Sequence, residues 1–143
     1  MLSEGDIEII FNALHKKYIS GATAEITVEA GRPDTLSPAK LKLLREAGVT
    51  RVCINPQTMN DSTLKLIGRN HDAKGVVQSV EWARKAGIKK INMDLIVGLP
   101  GEHLQENTYT VEQILKLCPE NITVHTLAMK RGSAMAEMEN RAE

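Results

Sequence analysis

The chain has 143 residues, of which 42% are hydrophobic and 25% are charged, and its 18 basic side chains balance 18 acidic ones. These values are ordinary for a soluble globular protein, so we predict a single domain over residues 1–143. Its longest apolar runs are too short to span a bilayer, and no lysine- and arginine-rich block is interleaved with aromatic residues. We therefore expect neither a membrane nor a nucleic acid as a partner.

The first residues and the cysteines indicate the compartment. Residues 1–10 are acidic and amphipathic, unlike a secretory signal peptide, so we expect a cytoplasmic protein. Cys53 and Cys118 belong to no Cys-x-x-Cys pattern, and the 4 histidines show no metal-ligand spacing. The residues themselves thus predict two reduced, buried thiols and no metal site.

Hydrophobic periodicity predicts an α/β fold in which one helix precedes four units of strand and helix. The first helix has Ser3 as its N-cap and ends near Tyr18. The predicted strands are 24–29, 51–55, 90–97 and 122–128. The later helices are predicted from 38 to the glycine at 48, and at 61–67, 72–86 and 104–117, with a frayed one at 133–141.

Strands separated by helices of this length indicate βαβ units and hence a parallel sheet. Four strands are too few to close an eight-stranded barrel. An open sheet, a piece of a partial barrel and an assembly completed by another chain all remain as geometries.

Ligands of parallel α/β folds bind beyond the carboxyl ends of the strands, and each predicted strand carries polar residues there. These residues are Glu29, Asn55, Gln57, Asp94, His125 and Thr126. Asp94 lies between Met93 and Leu95 and should point to the opposite face from both. If buried, its carboxylate needs hydrogen bonds, which ribose hydroxyls, an arginine or backbone amides would each supply.

Two further segments allow two interpretations each. The glycine-rich residues 98–101 suit close approach of an anion or nucleotide, but a tight strand-to-helix turn is the favoured interpretation. Arg69 follows a short predicted helix, where a cation suits the helix dipole as well as a ligand carboxylate.

Five segments in order resemble a known family: EITVE at 25–29, GVTRV at 48–52, NPQTMND at 55–61, LKLIGRNH at 64–71 and INMDLIVGLPG at 91–101. Together they resemble the oxygen-independent coproporphyrinogen III oxidases, which are radical S-adenosylmethionine (SAM) enzymes. The resemblance covers residues 2–133. The variant EAGRPD at 29–34 is most similar to the coproporphyrinogen dehydrogenases of Gram-positive bacteria.

The resemblance implies a parallel-sheet fragment, about four βα units, of a radical SAM partial (β/α)6 TIM-like barrel. It implies SAM and, in the parent enzyme, a [4Fe-4S] cluster as cofactors. It also implies oxidative decarboxylation of the porphyrinogen substrate coproporphyrinogen III to protoporphyrinogen IX in haem biosynthesis. The residues that fall on SAM-binding positions of the family are Glu29, Gln57, Arg69, Asp94 and Ala128.

The family's C-x-x-x-C-x-x-C segment does not occur in the chain. The resemblance places it before Met1, with the first two barrel strands, so we expect no cluster, no metal ligand, no catalytic residue and no activity in this chain alone. Two alternatives stay open. One is a non-catalytic module that binds a partner or forms a homo-oligomer through an exposed sheet edge. The other is an unrelated small α/β enzyme that uses residues 98–101 for phosphate.

Overall fold

The structure is a computed structural model and describes residues 2–128. Its helices are α1 (Glu4–Lys17), α2 (Pro38–Glu46), α3 (Asp61–Leu66), α4 (Ala73–Lys85) and α5 (Leu104–Lys116). Its strands are β1 (Thr27–Gly31), β2 (Arg51–Gln57), β3 (Lys90–Val97) and β4 (Asn121–Thr126), and a 3-10 turn spans Pro33–Thr35. The predicted order of elements is confirmed, while the helix predicted at 133–141 lies outside the described residues.

The four strands form one parallel sheet in the order β1-β2-β3-β4, which confirms the predicted α/β class. The bounds of β3 are those predicted, but β1 begins later and β2 runs on to Gln57. Thr27 is the first residue of β1 because it pairs with Arg51, the first residue of β2. Both strands shift register near their carboxyl ends, β1 between Glu29 and Gly31 and β2 between Ile54 and Gln57.

Local side-chain bonds set where the first two helices begin. The Asp6 amide donates to Ser3 Oγ at 3.2 Å while the Ser3 amide donates to Asp6 Oδ2 at 2.8 Å, which is a capping box. Ser37 Oγ accepts from the Lys40 amide at 3.1 Å, and Pro38 occupies the first helical position of α2. The predicted N-caps at Ser3 and Ser37 are therefore confirmed.

Helices pack against one face of the sheet. Alternate residues of β2 and β3 point to this face and meet apolar side chains of α1, α2, α4 and α5. The fully buried members of this core include Leu41, Val52, Ile54, Val76, Ala83, Ile91, Met93 and Ile114. The intervening residues of the strands point to the opposite face, which carries the polar side chains described next.

Candidate functional site

A line of polar side chains crosses the sheet face opposite the helices. In the register of the strands, Glu29 lies beside Cys53, Cys53 beside Asn92, and Asn92 beside Asn121. Neighbouring side chains are hydrogen-bonded: Asn55 Nδ2 donates to Glu29 Oε1 at 2.6 Å, and Asn121 Nδ2 donates to Asn92 Oδ1. The sheet therefore has one apolar face against the helices and one hydrogen-bonded polar face.

Asp94 lies on this polar face, as its position between Met93 and Leu95 predicts. Asn92 Nδ2 donates to Asp94 Oδ1 at 2.6 Å, and His125 Nε2 lies 3.6 Å from Asp94 Oδ2. The Asp94 side chain is 17% exposed and that of His125 is 55% exposed. One carboxylate oxygen is thus fixed by Asn92 while the other lies beside the exposed imidazole of His125.

Asn92 was not among the predicted site residues, yet it holds Asp94 and accepts from both Asn121 and Thr123, the latter at 3.3 Å. The sequence feature that could have predicted Asn92 is its spacing from Asp94, because residues two apart on one strand share a face. Its role depends on β4, which is far away in sequence.

Gln57 ends β2 in an unusual conformation. Its φ is +68°, in the left-handed region that non-glycine residues seldom adopt. Its side chain is buried, yet Oε1 has no hydrogen-bond partner within residues 2–128. A buried amide oxygen in this state suits a ligand donor, because buried polar atoms are normally hydrogen-bonded.

Arg69 follows α3 and is half-buried, and its amide donates to Leu64 O at 2.8 Å across the left-handed Gly68. His71, two residues later, reaches the end of β2: its Nε2 lies 3.2 Å from Pro56 O. Because a carbonyl only accepts, this contact requires the proton on Nε2. Burial lowers the His71 pKa. The hydrogen bond to Pro56 O attaches the segment after α3 to the end of β2.

The carboxyl end of β4 lies against that of β3. The Leu127 amide donates to Val97 O at 2.9 Å, so Ala128 follows at the same edge of the sheet. The adjoining residues 98–101 form a turn in which the Glu102 amide donates to Leu99 O at 3.0 Å, with both glycines at positive φ. This is the tight turn that the sequence favours.

The two cysteines lie at different levels of the sheet. Cys53 is buried on the polar face of β2, where burial and the neighbouring Glu29 raise the pKa of its thiol. Cys118 is exposed and precedes β4, so it lies near the amino ends of the strands, and its predicted burial is wrong. Within the described residues no three His, Cys, Asp or Glu side chains are placed to share a metal ion.

The sequence model of the radical SAM superfamily matches residues 2–116. The chain belongs to this superfamily. Radical SAM proteins use SAM together with a [4Fe-4S] cluster, so the expectation about cofactors and the resemblance stated from the sequence are both confirmed at the level of the family. The interpretation as an unrelated phosphate-binding enzyme is wrong.

Two curated relatives from Bacillus subtilis illustrate the membership. The chain is 45% identical over 117 residues to the oxygen-independent coproporphyrinogen-III oxidase-like protein HemZ, covering 82% of this chain and 23% of the relative. It is 41% identical over 111 residues to the heme chaperone HemW, covering 78% of this chain and 29% of the relative. The chain thus spans about a quarter of the length of these relatives.

Solved structures agree with the fold. Coproporphyrinogen III oxidase (HemN) from Escherichia coli superimposes with a TM-score of 0.85 at 25% identity, over 96% of this chain and 31% of that one. Elp3 from Methanocaldococcus infernus gives 0.75 at 23% identity, over 83% and 28%. The four-stranded sheet is therefore part of a radical SAM TIM-like barrel, and its polar face corresponds to a barrel interior.

The residues present fit one of the two family cofactors. A fixed carboxylate at Asp94 and a buried, unpartnered amide oxygen at Gln57 are the kind of groups that hold a nucleoside. The cluster does not fit, because such clusters are held by several cysteines, and of the 2 in this chain Cys53 is buried within β2 while Cys118 is exposed before β4. No chemistry of the cluster is assigned to these residues.

None of the helices within 2–128 could cross a membrane.

Proposed function

We propose that the polar face and the carboxyl ends of β1 to β4 bind SAM through Glu29, Gln57, Arg69, Asp94 and Ala128. The observation that carries the proposal is Asp94, whose Oδ1 is fixed by Asn92 at 2.6 Å while Oδ2 lies 3.6 Å from His125 Nε2, an exposed side chain. A carboxylate held in this way accepts hydrogen bonds from a pair of vicinal hydroxyls without losing its own position.

The other groups complement the parts of SAM. Glu29 supplies a carboxylate for the ammonium group, and Arg69 supplies a guanidinium for the carboxylate of the methionine moiety. Gln57 offers a buried amide oxygen, and Ala128 offers backbone at the edge where β4 meets β3. Bound SAM is a source of a carbon-centred radical once an electron is supplied, and these residues would hold it against the polar face.

Calorimetric titration of the 143-residue chain with SAM tests this proposal. Asp94→Ala removes the fixed carboxylate, and Asp94→Asn keeps its shape while replacing an acceptor oxygen with a donor. We expect each to weaken SAM binding by about 10- to 150-fold, since hydrogen bonds to charged groups contribute about 1.5–3 kcal/mol.

Glu112→Ala is the matched control, because Glu112 lies exposed on α5. It should bind SAM as the unaltered chain does. Unchanged affinity in Asp94→Ala would remove Asp94 from the site. A chain that takes up no SAM at millimolar concentration would overturn the proposal as a whole.

We also infer that the longer protein to which this chain corresponds carries out porphyrinogen chemistry of the coproporphyrinogen oxidase type. The support is the relative named coproporphyrinogen-III oxidase-like and the solved coproporphyrinogen III oxidase. The coding sequence that precedes Met1 tests the inference. An in-frame three-cysteine segment would support it, and its absence from the genome locus would count against a catalytic parent.

A second candidate function, haem binding, is favoured by His125 and by the relatives named heme chaperones. The His125 side chain is 55% exposed on the polar face, and an accessible imidazole is the common protein ligand of haem iron. Titration with hemin should give a shifted Soret band that His125→Ala abolishes. His103→Ala, at an exposed position before α5, is the control, and equal loss in both variants would make the binding nonspecific.

A cytoplasmic location, a single domain and self-association through an exposed sheet edge stay predictions. Strand β1 is an edge of the four-stranded sheet. Beside it, an apolar cleft of about 380 Å³ is formed with α1 by Ile7, Phe11 and Val28. Size-exclusion chromatography with light scattering would show whether two chains associate at this edge.

A further inference from the structure

Four polar side chains form a buried cluster where the segment after β2 meets the segment after β3. Thr58 and Asn60 come from the first segment, Glu102 from the second, and Thr110 from α5. Thr58 Oγ1 donates to Glu102 Oε1 at 2.5 Å, and Asn60 Nδ2 donates to the same oxygen at 3.0 Å. Thr58 Oγ1 and Thr110 Oγ1 lie 3.0 Å apart. The cluster therefore joins two connections that are 44 residues apart along the chain.

Glu102 is the centre of this cluster, and its burial costs desolvation free energy. It is 8% exposed, and its Oε2 is buried without a hydrogen-bond partner within residues 2–128. Taking a carboxylate out of water costs free energy that only good hydrogen bonds offset. A tight turn at 98–101 does not require an acidic residue at its end, so the position calls for a role beyond the turn.

Gln57 is the residue whose conformation this cluster supports. It directly precedes Thr58, and its left-handed φ of +68° costs about 1 kcal/mol or more for a side chain with a Cβ. On one side the backbone is held by His71, whose Nε2 lies 3.2 Å from Pro56 O. On the other side it is held by Thr58, which Glu102 binds at 2.5 Å. Such a strained conformation persists only where its surroundings hold it from both sides.

We propose that Glu102 is a positioning residue that acts through Thr58 and Asn60 to hold Gln57 in its left-handed conformation, with its amide oxygen directed at the cofactor. The proposal rests on the SAM site described above. Glu102 Oε1 binds Thr58 and Asn60, and in this proposal the contact with the ligand is made by the buried Gln57 Oε1.

A double-mutant cycle on SAM affinity tests the coupling. We expect Glu102→Ala and Gln57→Ala each to weaken SAM binding by about tenfold, and the double variant to be no weaker than either single one. Glu102→Gln keeps an oxygen acceptor for Thr58 and Asn60, so it should bind SAM within about threefold of the unaltered chain. The proposal would be overturned if Glu102→Ala weakened SAM binding as much in the Gln57→Ala variant as it does in the unaltered chain.

A second readout needs no SAM and separates this proposal from the proposed function. The side-chain amide and backbone resonances of Gln57 in ¹⁵N spectra of the free chain report its conformation directly. They should move toward random-coil values in Glu102→Ala but not in Glu102→Gln or the exposed control Glu112→Ala. If the chain binds no SAM while these shifts occur, the function is wrong and the positioning role stands. Unmoved Gln57 resonances in Glu102→Ala would overturn the positioning role whatever SAM does.

Discussion

Replacing Thr110 with valine tests the buried cluster through one backbone amide. The Thr58 hydroxyl gives its single proton to Glu102 Oε1 at 2.5 Å, so the Thr110 hydroxyl donates to Thr58 and accepts from the Met59 amide at 3.1 Å. Valine has the same shape and opens no cavity. Asn60 Nδ2 loses Thr110 Oγ1 as an acceptor at 3.1 Å but keeps Glu102 Oε1 at 3.0 Å. The loss therefore reduces to one buried N–H without a partner, which costs about 1–3 kcal/mol.

We expect urea unfolding, followed by circular dichroism, to show Thr110→Val less stable by about 2 kcal/mol with an unchanged m-value. The corresponding fall in Tm is about 4–8 °C for a chain of this size. Thr108→Val is the matched control, because Thr108 is exposed on the same helix. Free energies of unfolding of the two variants that differ by less than about 0.5 kcal/mol, the usual range of effects of surface substitutions, would refute the reasoning.

Two other predictions concern titrating groups. Arg51 and Lys90 bind the Glu25 carboxylate at 3.0 Å and 2.7 Å and lower its pKa from 4.5 to about 2. The stability that the ionised Glu25 carboxylate contributes is fully present above pH 4.5 and is lost as the pH falls toward 2. Between pH 7 and pH 3 the urea midpoint of unfolding should therefore fall less in Glu25→Gln than in the unaltered chain. An equal fall would show that the ion pairs contribute nothing. At pH 8 a thiol reagent should label exposed Cys118 rapidly and buried Cys53, whose thiol pKa is raised, at least tenfold more slowly, since the thiolate is the nucleophile. Equal rates would contradict the burial of Cys53.

Local patterns predicted the elements because the forces that form them are local. Ser3 and Ser37 cap helices through bonds that span three residues, and both caps are present as predicted. The bounds of β3 follow from its apolar residues Ile91, Met93 and Leu95, which are buried on the helix side. Strand β1 was predicted to begin too early. Its first residue, Thr27, is set by pairing with Arg51, and the pattern within residues 24–29 carries no information about that pairing.

The site was predictable only in part, because some of its contacts join residues that are distant in the sequence. Glu29 was predicted to end its strand, but β1 continues to Gly31, and Asp94 lies within β3. The structure puts both side chains on the polar face. The pairing of Asn92 with Asn121 and of Thr58 with Glu102 joins residues 29 and 44 positions apart, so no short pattern signals it. The side chains that bear on a ligand can be predicted, whereas those that hold them in place require the fold.

The polar face itself carries the strongest physical argument about what this chain is. A parallel sheet with helices on both sides has apolar residues on both faces, as continuous runs of Val, Ile and Leu. Here β3 alternates instead: Met93 is fully buried against helices, while Asn92 and Asp94 bond to each other at 2.6 Å on the other side. A row of hydrogen-bonded polar groups across parallel strands is stable where that face lines a ligand-filled interior, since the ligand and the row satisfy one another. Replacing Asp94 by leucine should therefore abolish SAM binding. It should lower the free energy of unfolding, measured in urea, by less than Met93→Ala does, for which we expect a loss of about 2–5 kcal/mol.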